Sequence, residues 1–261
     1  LIDLENIMIL AIDIGNTHIV LGGITEGNVD FMARISTDRI KTEDEYGVEI
    51  MNILKLYNID RNKIEGGIIS SVVPGVLNCV KQAVKLVIGD EPLVVGPGIK
   101  TGLNILMDNP ASVGSDRIAS AVAALDEIKP PVIIVDMGTA TTIDVVDKNK
   151  NYIGGAIMPG VEISLQALAA RTAQLPSIGL EKPKKVIGKN TIDCMKSGVL
   201  FGAAGMIDGC VERIKEELGE DCNVIITGGL GKNFAEICKG DYIYNEELLL
   251  KGLYIIYSKN R

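Results

Sequence analysis

Apolar and polar residues follow the same order in two short blocks, one in each half of the chain. Residues 9–21 (ILAIDIGNTHIVL) run from an apolar stretch through the polar turn DIGNT into a second apolar stretch. A short β-branched run is typical of a buried strand, and Gly followed by Asn is typical of a tight turn. Residues 133–144 (IIVDMGTATTID) repeat this order. The sequence therefore predicts two strand–turn–strand units, with Asp13 and Asp136 at matching places about half the chain apart.

The remaining spacing of apolar residues predicts strands alternating with helices. Further strands are expected at 29–34, 67–71, 93–95, 152–156, 224–227 and 242–244, and helices at 42–57, 76–87, 115–128, 161–170, 191–218, from 232 onward and at 248–256. Residues 99–110 and 172–185 lack periodicity and are expected to be loops. Ser115 is the expected N-cap of its helix, which would place Asp116 and Arg117 in the first turn. This pattern predicts an α/β fold of two duplicated domains, residues 8–128 and 132–261, separated by KPP.

Composition narrows the classes of function. The 261 residues are 47% hydrophobic, enough for a sizeable core, and the formal net charge of −8 comes without any basic run. Nucleic-acid binding needs clustered Lys and Arg, so we expect no nucleic-acid partner. Five widely spaced cysteines without a C-x-x-C motif indicate reduced thiols, not a zinc site or a disulfide framework. Because His18 is the only histidine, a classical zinc site or a Ser-His-Asp triad is not expected.

Targeting signals are also not expected. Asp3 and Glu5 are wrong for a signal peptide, and Met8 is the expected natural start, with residues 1–7 as upstream sequence. The best candidate for a membrane span, residues 198–210, is too short and contains Asp208. We therefore expect a cytoplasmic protein with no membrane partner.

The two Asp-X-Gly turns carry the groups that a phosphate and its magnesium ion require. Backbone N–H groups and hydroxyls donate to phosphate oxygens, and a carboxylate binds the metal or its waters. A third glycine turn, GGLG at 228–231, follows a predicted strand but lacks G-x-G-x-x-G spacing, and no Walker lysine is present. Any one turn could be a plain hairpin; three phosphate-suited turns together favour a nucleotide site that is neither a Rossmann site nor a P-loop.

Two further features remain open from the pattern alone. Residues 114–117 (GSDR) bring a carboxylate beside a guanidinium at a helix start. Asp116 could be a first-turn residue stabilised by the helix dipole, with Arg117 on a solvated face, or the pair could supply a base and an anion anchor. His18 could donate to a phosphate, although a lone histidine beside a strand is more often a packed or surface residue.

Several motifs in register resemble type III pantothenate kinases, a family of the acetate and sugar kinase/heat-shock/actin superfamily. They are DIGNT at 13–17, GPGIKTGLNI at 96–105, DNPASVGSDR at 108–117, DMGTATTID at 136–144, GGAIMPG at 154–160 and GKNT at 188–191. The resemblance implies two duplicated ribonuclease H-like (actin-like ATPase) domains with the nucleotide in the cleft between them. It also implies transfer of the ATP γ-phosphate to the primary hydroxyl of pantothenate, the first step of coenzyme A biosynthesis.

The resemblance also implies site residues, cofactors and partners. The residues that it implies for the ATP phosphates are Asp13, Ile14, Gly15, Asn16, Thr17, His18, Ile19 and Val20, with a further nucleotide contact from Thr139. The residues that it implies for the substrate pocket are Met107, Gly114, Ser115, Asp116, Arg117 and Thr191. Asp136 would bind K⁺ or NH₄⁺. Asp116 would be the proton acceptor, Mg²⁺ would accompany ATP, and the protein would be a homodimer whose partner subunit helps shape the pocket.

The chain departs from the family pattern at two positions. Met107 stands where the family has a substrate-contacting Tyr, which removes a hydroxyl and an aromatic wall, and Ser115 stands where Ala is usual. Two alternatives to a kinase remain at this stage. One is a phosphohydrolase of the same fold, and the other is a non-catalytic regulator that binds nucleotide as a signal.

Overall fold

The structure, a computed structural model, describes residues 7–261, so the prediction about an upstream segment falls almost entirely outside the described residues. The strands are β1 (Met8–Ile14), β2 (His18–Thr25), β3 (Asn28–Ser36), β4 (Ile64–Ser71), β5 (Leu93–Val94), β6 (Asn104–Ile105), β7 (Val132–Met137), β8 (Ala140–Val146), β9 (Asn151–Pro159), β10 (Asn223–Thr227) and β11 (Ile243–Tyr244). The helices are α1 (Glu43–Leu56), α2 (Pro74–Ile88), α3 (Ser115–Glu127), α4 (Val161–Arg171), α5 (Thr191–Leu218), α6 (Gly231–Ala235) and α7 (Leu248–Ser258).

These elements form two compact units. The first contains the described residues up to Glu127 together with Glu247–Arg261, and the second contains Ile128–Glu246. The C-terminal helix α7 thus belongs to the first unit, whereas the domain ranges predicted from the sequence kept it with the second half. Its reason for being there is packing: Leu253 of α7 is buried in the same apolar cluster as Ala119 of α3.

The first unit is built on a sheet with strand order β3-β2-β1-β4-β5. Strands β1, β2 and β3 are antiparallel neighbours, and β4 and β5 run parallel to β1. Successive residues of a strand face opposite sides of the sheet. Leu10 and Ile12 therefore enter a cluster with Ile50 of α1 and Val80 of α2.

The other face of this sheet is covered by α3 and α7. Ile9 and Ala11 of β1, which alternate with Leu10 and Ile12, share a cluster with residues of both helices. Because β1 is buried on both faces of the sheet, its sequence is apolar almost throughout. The helices α3 and α7 approach so closely that a Cβ at Gly252 would overlap the backbone of Ala119.

The second unit repeats the same strand order, β9-β8-β7-β10-β11. Again three antiparallel strands are followed by two parallel ones. Ile133 and Val135 of β7 pack with Leu165 of α4 and Leu200 of α5. The predicted α/β fold with two duplicated sheets is therefore confirmed in the strand order and direction of both units.

Capping residues fix the helix ends near the polar loops. Thr42 and Glu45 form a reciprocal capping box at the start of α1, and Asn190 accepts from the Asp193 N–H at the start of α5. Gly219, which has a φ of 68°, is the C-cap of α5, and its N–H donates to the carbonyls of Lys215 and Glu216. Each cap satisfies backbone groups that a helix end leaves without a partner.

Two predicted elements, and the expectation about a membrane span, differ from the structure. A two-residue strand, β6, lies inside the segment 99–110 that was expected to be a loop. The helix expected from residue 232 has only five residues and is followed by turns and bends at 236–240. The candidate span at 198–210 is part of the 28-residue helix α5, which is long and apolar enough to cross a membrane by length and composition alone. Core helices of soluble proteins meet the same test, and one face of α5 is buried in the second unit's core.

Candidate active site

The turn after β1 is closed by backbone hydrogen bonds. The Gly15 N–H donates to the His18 carbonyl at 3.0 Å, and the Val72 N–H donates to the Ile14 carbonyl at 3.1 Å. Asp13, the penultimate residue of β1, is in register with Val20 on one side and Ser70 on the other. The turn thus lies beside the carboxyl end of β4.

A residue of the loop after β3 contacts this turn twice. The Thr37 hydroxyl donates to the Gly15 carbonyl at 2.6 Å, and the Thr37 N–H donates to the Thr17 carbonyl at 2.9 Å. Thr37 belongs to none of the motifs that the sequence shows. The register of the three-stranded meander, in which His18 pairs with Ser36, is the signal that could have identified it.

The predicted phosphate-binding residues fall into two groups by burial. Ile14 and Ile19 are fully buried in the core, so only their backbone groups can contact a ligand. Asp13, Gly15 and Val20 are partly buried, and Asn16, Thr17 and His18 are exposed. The side chains of Asn16, Thr17 and His18 are therefore at the surface of the turn, whereas Asp13 Oδ1 is buried.

Ser115 connects the start of α3 to the end of β4. Its Oγ lies 2.9 Å from the Ser70 Oγ and accepts from the Ser71 N–H at 2.9 Å. Ser115 is the first helical residue and is buried, and its hydroxyl bonds to β4 and not to a backbone N–H of α3. The prediction that Ser115 is an N-cap is therefore wrong, because β4 uses its hydroxyl. Ser70, like Thr37, was not singled out from the sequence.

Asp116 and Arg117 are partly buried in the first turn of α3. The Arg117 N–H donates to Asp116 Oδ1 at 2.8 Å. Gly114 lies against the same oxygen, since a Cβ at Gly114 would overlap Asp116 Oδ1. The Arg117 N–H thus helps to orient the Asp116 carboxylate, and the absence of a side chain at Gly114 leaves room for Oδ1 in this position.

In the second unit, the turn after β7 corresponds to the turn after β1 in the first unit. It has one residue fewer between the aspartate and the residue that is in register with it. Asp13 pairs with the residue seven positions on, whereas Asp136 pairs with Thr142, six positions on. The Gly138 N–H donates to the Ala140 carbonyl at 3.1 Å, which closes the turn. Thr139, at its tip, is exposed.

Two glycines allow neighbouring segments to reach this second turn. A Cβ at Gly160, between β9 and α4, would overlap the carbonyl of Thr139. Gly228 follows β10 with a φ of 89°, and a Cβ there would lie 2.6 Å from Asp136 Oδ1. Only glycine leaves room beside Asp136 and also adopts this left-handed backbone without strain.

The two remaining predicted site residues lie in different units. Met107, in the first unit, is partly buried between β6 and α3 along the chain, and Thr191, in the second, is exposed at the start of α5. Among residues 7–261, no group of three or more His, Cys, Asp or Glu side chains could hold a metal ion. Mg²⁺ is usually held by one or two carboxylates together with substrate phosphates, and the Asp13 carboxylate, beside the turn after β1, is a group of this chemistry.

Comparison with known proteins identifies the family. A family model described as type III pantothenate kinase matches residues 9–213. The chain is 46% identical over 253 residues, 97% of each protein, to a type III pantothenate kinase of Bacillus cytotoxicus.

Solved structures support the fold alone. A Baf family transcriptional activator from Campylobacter jejuni is 19% identical with a TM-score of 0.61, over 96% of this chain and 98% of that one. MreB 5 of Spiroplasma citri, bound to AMPPNP, is 11% identical with a TM-score of 0.55, over 97% of each chain. These similarities agree with the two duplicated sheets and confirm the actin-like fold. The family model matches most of the chain, and this match, together with the 46% identical relative, shows that the chain belongs to the type III pantothenate kinase family.

Proposed function

We propose that this chain phosphorylates pantothenate with two groups at one edge of its first sheet: the turn after β1 binds the ATP phosphates, and Asp116 accepts the proton of the substrate hydroxyl. One observation carries this proposal. Ser70 is in register with Asp13, and its hydroxyl lies 2.9 Å from that of Ser115, the residue before Asp116. The phosphate turn and the candidate base are thus joined through the end of β4.

The first turn has the donors that a triphosphate requires. Asn16 and Thr17 are exposed, and the turn is held closed by its own backbone. Asp13 would hold Mg²⁺ directly or through water, and the ion when bound neutralises charge on the phosphate oxygens. His18 and Thr139 would add contacts to the nucleotide. Phosphoryl transfer depends mainly on positioning and charge neutralisation, so this set of groups suffices.

Asp116 would accept the proton of the pantothenate primary hydroxyl as the new P–O bond forms and the bond to the ADP oxygen breaks. Its carboxylate is oriented by the Arg117 N–H and lies at the start of α3, where the helix dipole favours the ionised, proton-accepting form. Arg117 and the N-terminal amides of α3 would bind the carboxylate of pantothenate. Gly114, Met107 and Thr191 would complete the pocket.

Asp136 would hold K⁺ or NH₄⁺. Its carboxylate lies close to the backbone of Gly138 and of Gly228, since a Cβ built on these glycines would be 3.6 Å and 2.6 Å from Asp136 Oδ1. Carboxylate and carbonyl oxygens are suitable ligands for such a cation, and the ion when bound adds positive charge near the nucleotide phosphates. In Asp136→Ala, ATP use should weaken and the activity should no longer respond to added potassium. Asp241→Ala, which changes an exposed aspartate of the same unit, should titrate with potassium as the wild type does.

We also propose that the protein is a homodimer in the cytoplasm. Between α4 and α5 lies a mainly apolar groove of 630 Å³, lined in part by Leu168, Gly198, Gly202 and Met206. The two glycines and Met206 are exposed, so the helix backbone is open to close approach by a second copy. Light scattering at micromolar concentration should give the mass of a dimer; the mass of a monomer would contradict the proposal.

A coupled assay for ADP, with ATP and pantothenate, tests the whole function. Turnover should require both substrates and should produce phosphopantothenate. Steady release of phosphate from ATP without pantothenate would support the phosphohydrolase alternative. ATP binding without any turnover would support the regulator.

A further inference from the structure

We propose that Thr37 is a positioning residue of the ATP site: its hydroxyl and its N–H together hold the phosphate-binding turn and orient the Asn16 amide for the nucleotide. This inference rests on the proposed role of residues 13–20 in ATP binding. Thr37 lies outside the DIGNT motif, twenty residues after Thr17, in the loop that follows β3.

The two hydrogen bonds of Thr37 hold both sides of the turn's tip. The hydroxyl donates to the Gly15 carbonyl at 2.6 Å, and the backbone N–H donates to the Thr17 carbonyl at 2.9 Å. The tip residue Asn16 lies between these two anchored carbonyls. A two-residue hairpin tip of Asn and Thr would otherwise have several accessible backbone conformations.

Fixing the Gly15 carbonyl also fixes the direction of the next N–H. In a trans peptide, the carbonyl oxygen and the amide hydrogen lie on opposite sides of the C–N bond. The Gly15 carbonyl is directed at Thr37, so the Asn16 N–H must be directed away from it. An amide held in one orientation before the ligand arrives loses less freedom on binding.

Asp38, the residue after Thr37, is held by a buried tyrosine of α1. The Tyr46 hydroxyl donates to the Asp38 carbonyl at 2.6 Å and accepts from the Asp38 N–H at 2.9 Å. Tyr46 is 1% exposed, and burial raises the pKa of its hydroxyl, so it remains a neutral donor. The buried Tyr46 is therefore connected to the phosphate-binding turn by its hydrogen bonds to Asp38, by the peptide between Asp38 and Thr37, and by the hydrogen bonds of Thr37.

The experiment compares Thr37→Val, which keeps the shape and the N–H but removes the hydroxyl, with Thr37→Ser, which keeps the hydroxyl. Thr25→Val is the matched control, because Thr25 lies at the other end of the β2–β3 pair, in register with Asn28. ATP·Mg²⁺ affinity is measured by calorimetry, and KM is determined separately for ATP and for pantothenate. Amide hydrogen exchange at Asn16 is followed by NMR without ligand.

One neutral hydrogen bond gives an expected loss of ATP affinity of about 3- to 10-fold in Thr37→Val. The KM for pantothenate should stay within about twofold, because Asp116 and Arg117 are not touched by the change. Exchange at Asn16 should become faster. Thr37→Ser should restore ATP affinity, and Thr25→Val should behave as the wild type.

Wild-type ATP affinity in Thr37→Val would overturn the inference. So would an equal loss for both substrates that Thr37→Ser does not restore, since that describes a structural role only. Should Thr37→Val fail to fold, Tyr46→Phe, which frees Asp38, should show a weaker form of the same selective loss, and its absence would overturn the inference. If the wild type binds ATP but does not phosphorylate pantothenate, the proposed function fails while the ATP measurements still decide the role of Thr37. If the wild type does not bind ATP, both fail.

Discussion

Replacing Gly114 by Ala should displace the candidate base without changing its charge. Gly114 has no left-handed φ, so its backbone accepts alanine, and the only close neighbour of the added methyl group would be Asp116 Oδ1. That atom ends a side chain that can rotate, so the protein should fold normally. The carboxylate must instead leave the position in which it accepts the Arg117 N–H at 2.8 Å.

The size of the effect follows from the geometry. Restoring an ordinary van der Waals separation requires Oδ1 to move by about 1 Å. A misplacement of that size in a reacting group costs on the order of 10²-fold in rate. Removing the base outright, in Asp116→Asn, should cost roughly 10²–10⁴-fold in kcat. Gly114→Ala should therefore be slow, but no slower than Asp116→Asn.

A double-mutant cycle separates this explanation from a general disturbance of the pocket. Single-turnover rates with saturating ATP and pantothenate are measured for both single variants and for the double variant. If Gly114 acts through Asp116, adding Gly114→Ala to Asp116→Asn should lower the rate by less than about threefold. Gly47→Ala is the control, because a Cβ at Gly47 meets no atom within 4 Å. A turnover of Gly114→Ala close to wild type, or full additivity of the two losses, would refute the reasoning.

Two further substitutions and one comparison of thiol reactivity have expected outcomes. Met107→Tyr should keep kcat and lower the KM for pantothenate by about 2- to 10-fold, because it adds a hydroxyl and a ring to the proposed pocket; a large loss of kcat would show that the pocket depends on the thioether. Gly252→Ala should lower the free energy of unfolding by about 1–3 kcal/mol, because its Cβ would overlap the α3 backbone; an unchanged urea midpoint would contradict this. Burial raises the pKa of the Cys238 thiol to about 12, so at pH 8 it should stay protonated and react slowly with a thiol reagent, while the exposed Cys194 reacts fast; mass spectrometry showing the reverse order would contradict it.

The fold could be predicted from sequence because its signals are local. Apolar runs such as that of β1 and turn residues such as Gly15 indicate strands and their connections without reference to distant residues. The duplicated Asp-X-Gly turns then suggested two similar units. The short strand β6 and the truncated helix α6 could not be predicted in this way, since two to five residues are too few to show a period.

The side-chain contacts of the site were less accessible to sequence reasoning. Ser115 resembled an N-cap because serine before a helical pattern usually is one. Its actual partners, Ser70 and Ser71, lie more than forty residues earlier, and nothing local indicates them. Thr37 was missed for the same reason, because its contacts depend on the register of three strands. Tertiary hydrogen bonds of this kind are set by the fold, not by the neighbouring residues.

The two units share one framework but differ where the fourth strand ends, and this difference suggests why each has its own task in the proposed reaction. In the first unit the residue in register with Asp13 is Ser70, followed by Ser71, and both bond to Ser115. In the second unit Thr227 is in register with Asp136, and Gly228 follows it.

In the first unit, the two serines bond the start of α3 to the end of β4, which places Asp116, the proposed base, next to this strand end. In the second unit, a glycine with positive φ lies directly against the carboxylate of Asp136, which we propose to hold the cation. In the proposed reaction, the few residues that follow this strand would separate the two repeated aspartates into a ligand of the nucleotide's magnesium, Asp13, and a ligand of a monovalent cation, Asp136. A duplicated fold can therefore divide phosphate binding, proton acceptance and charge neutralisation among positions that began as equivalents.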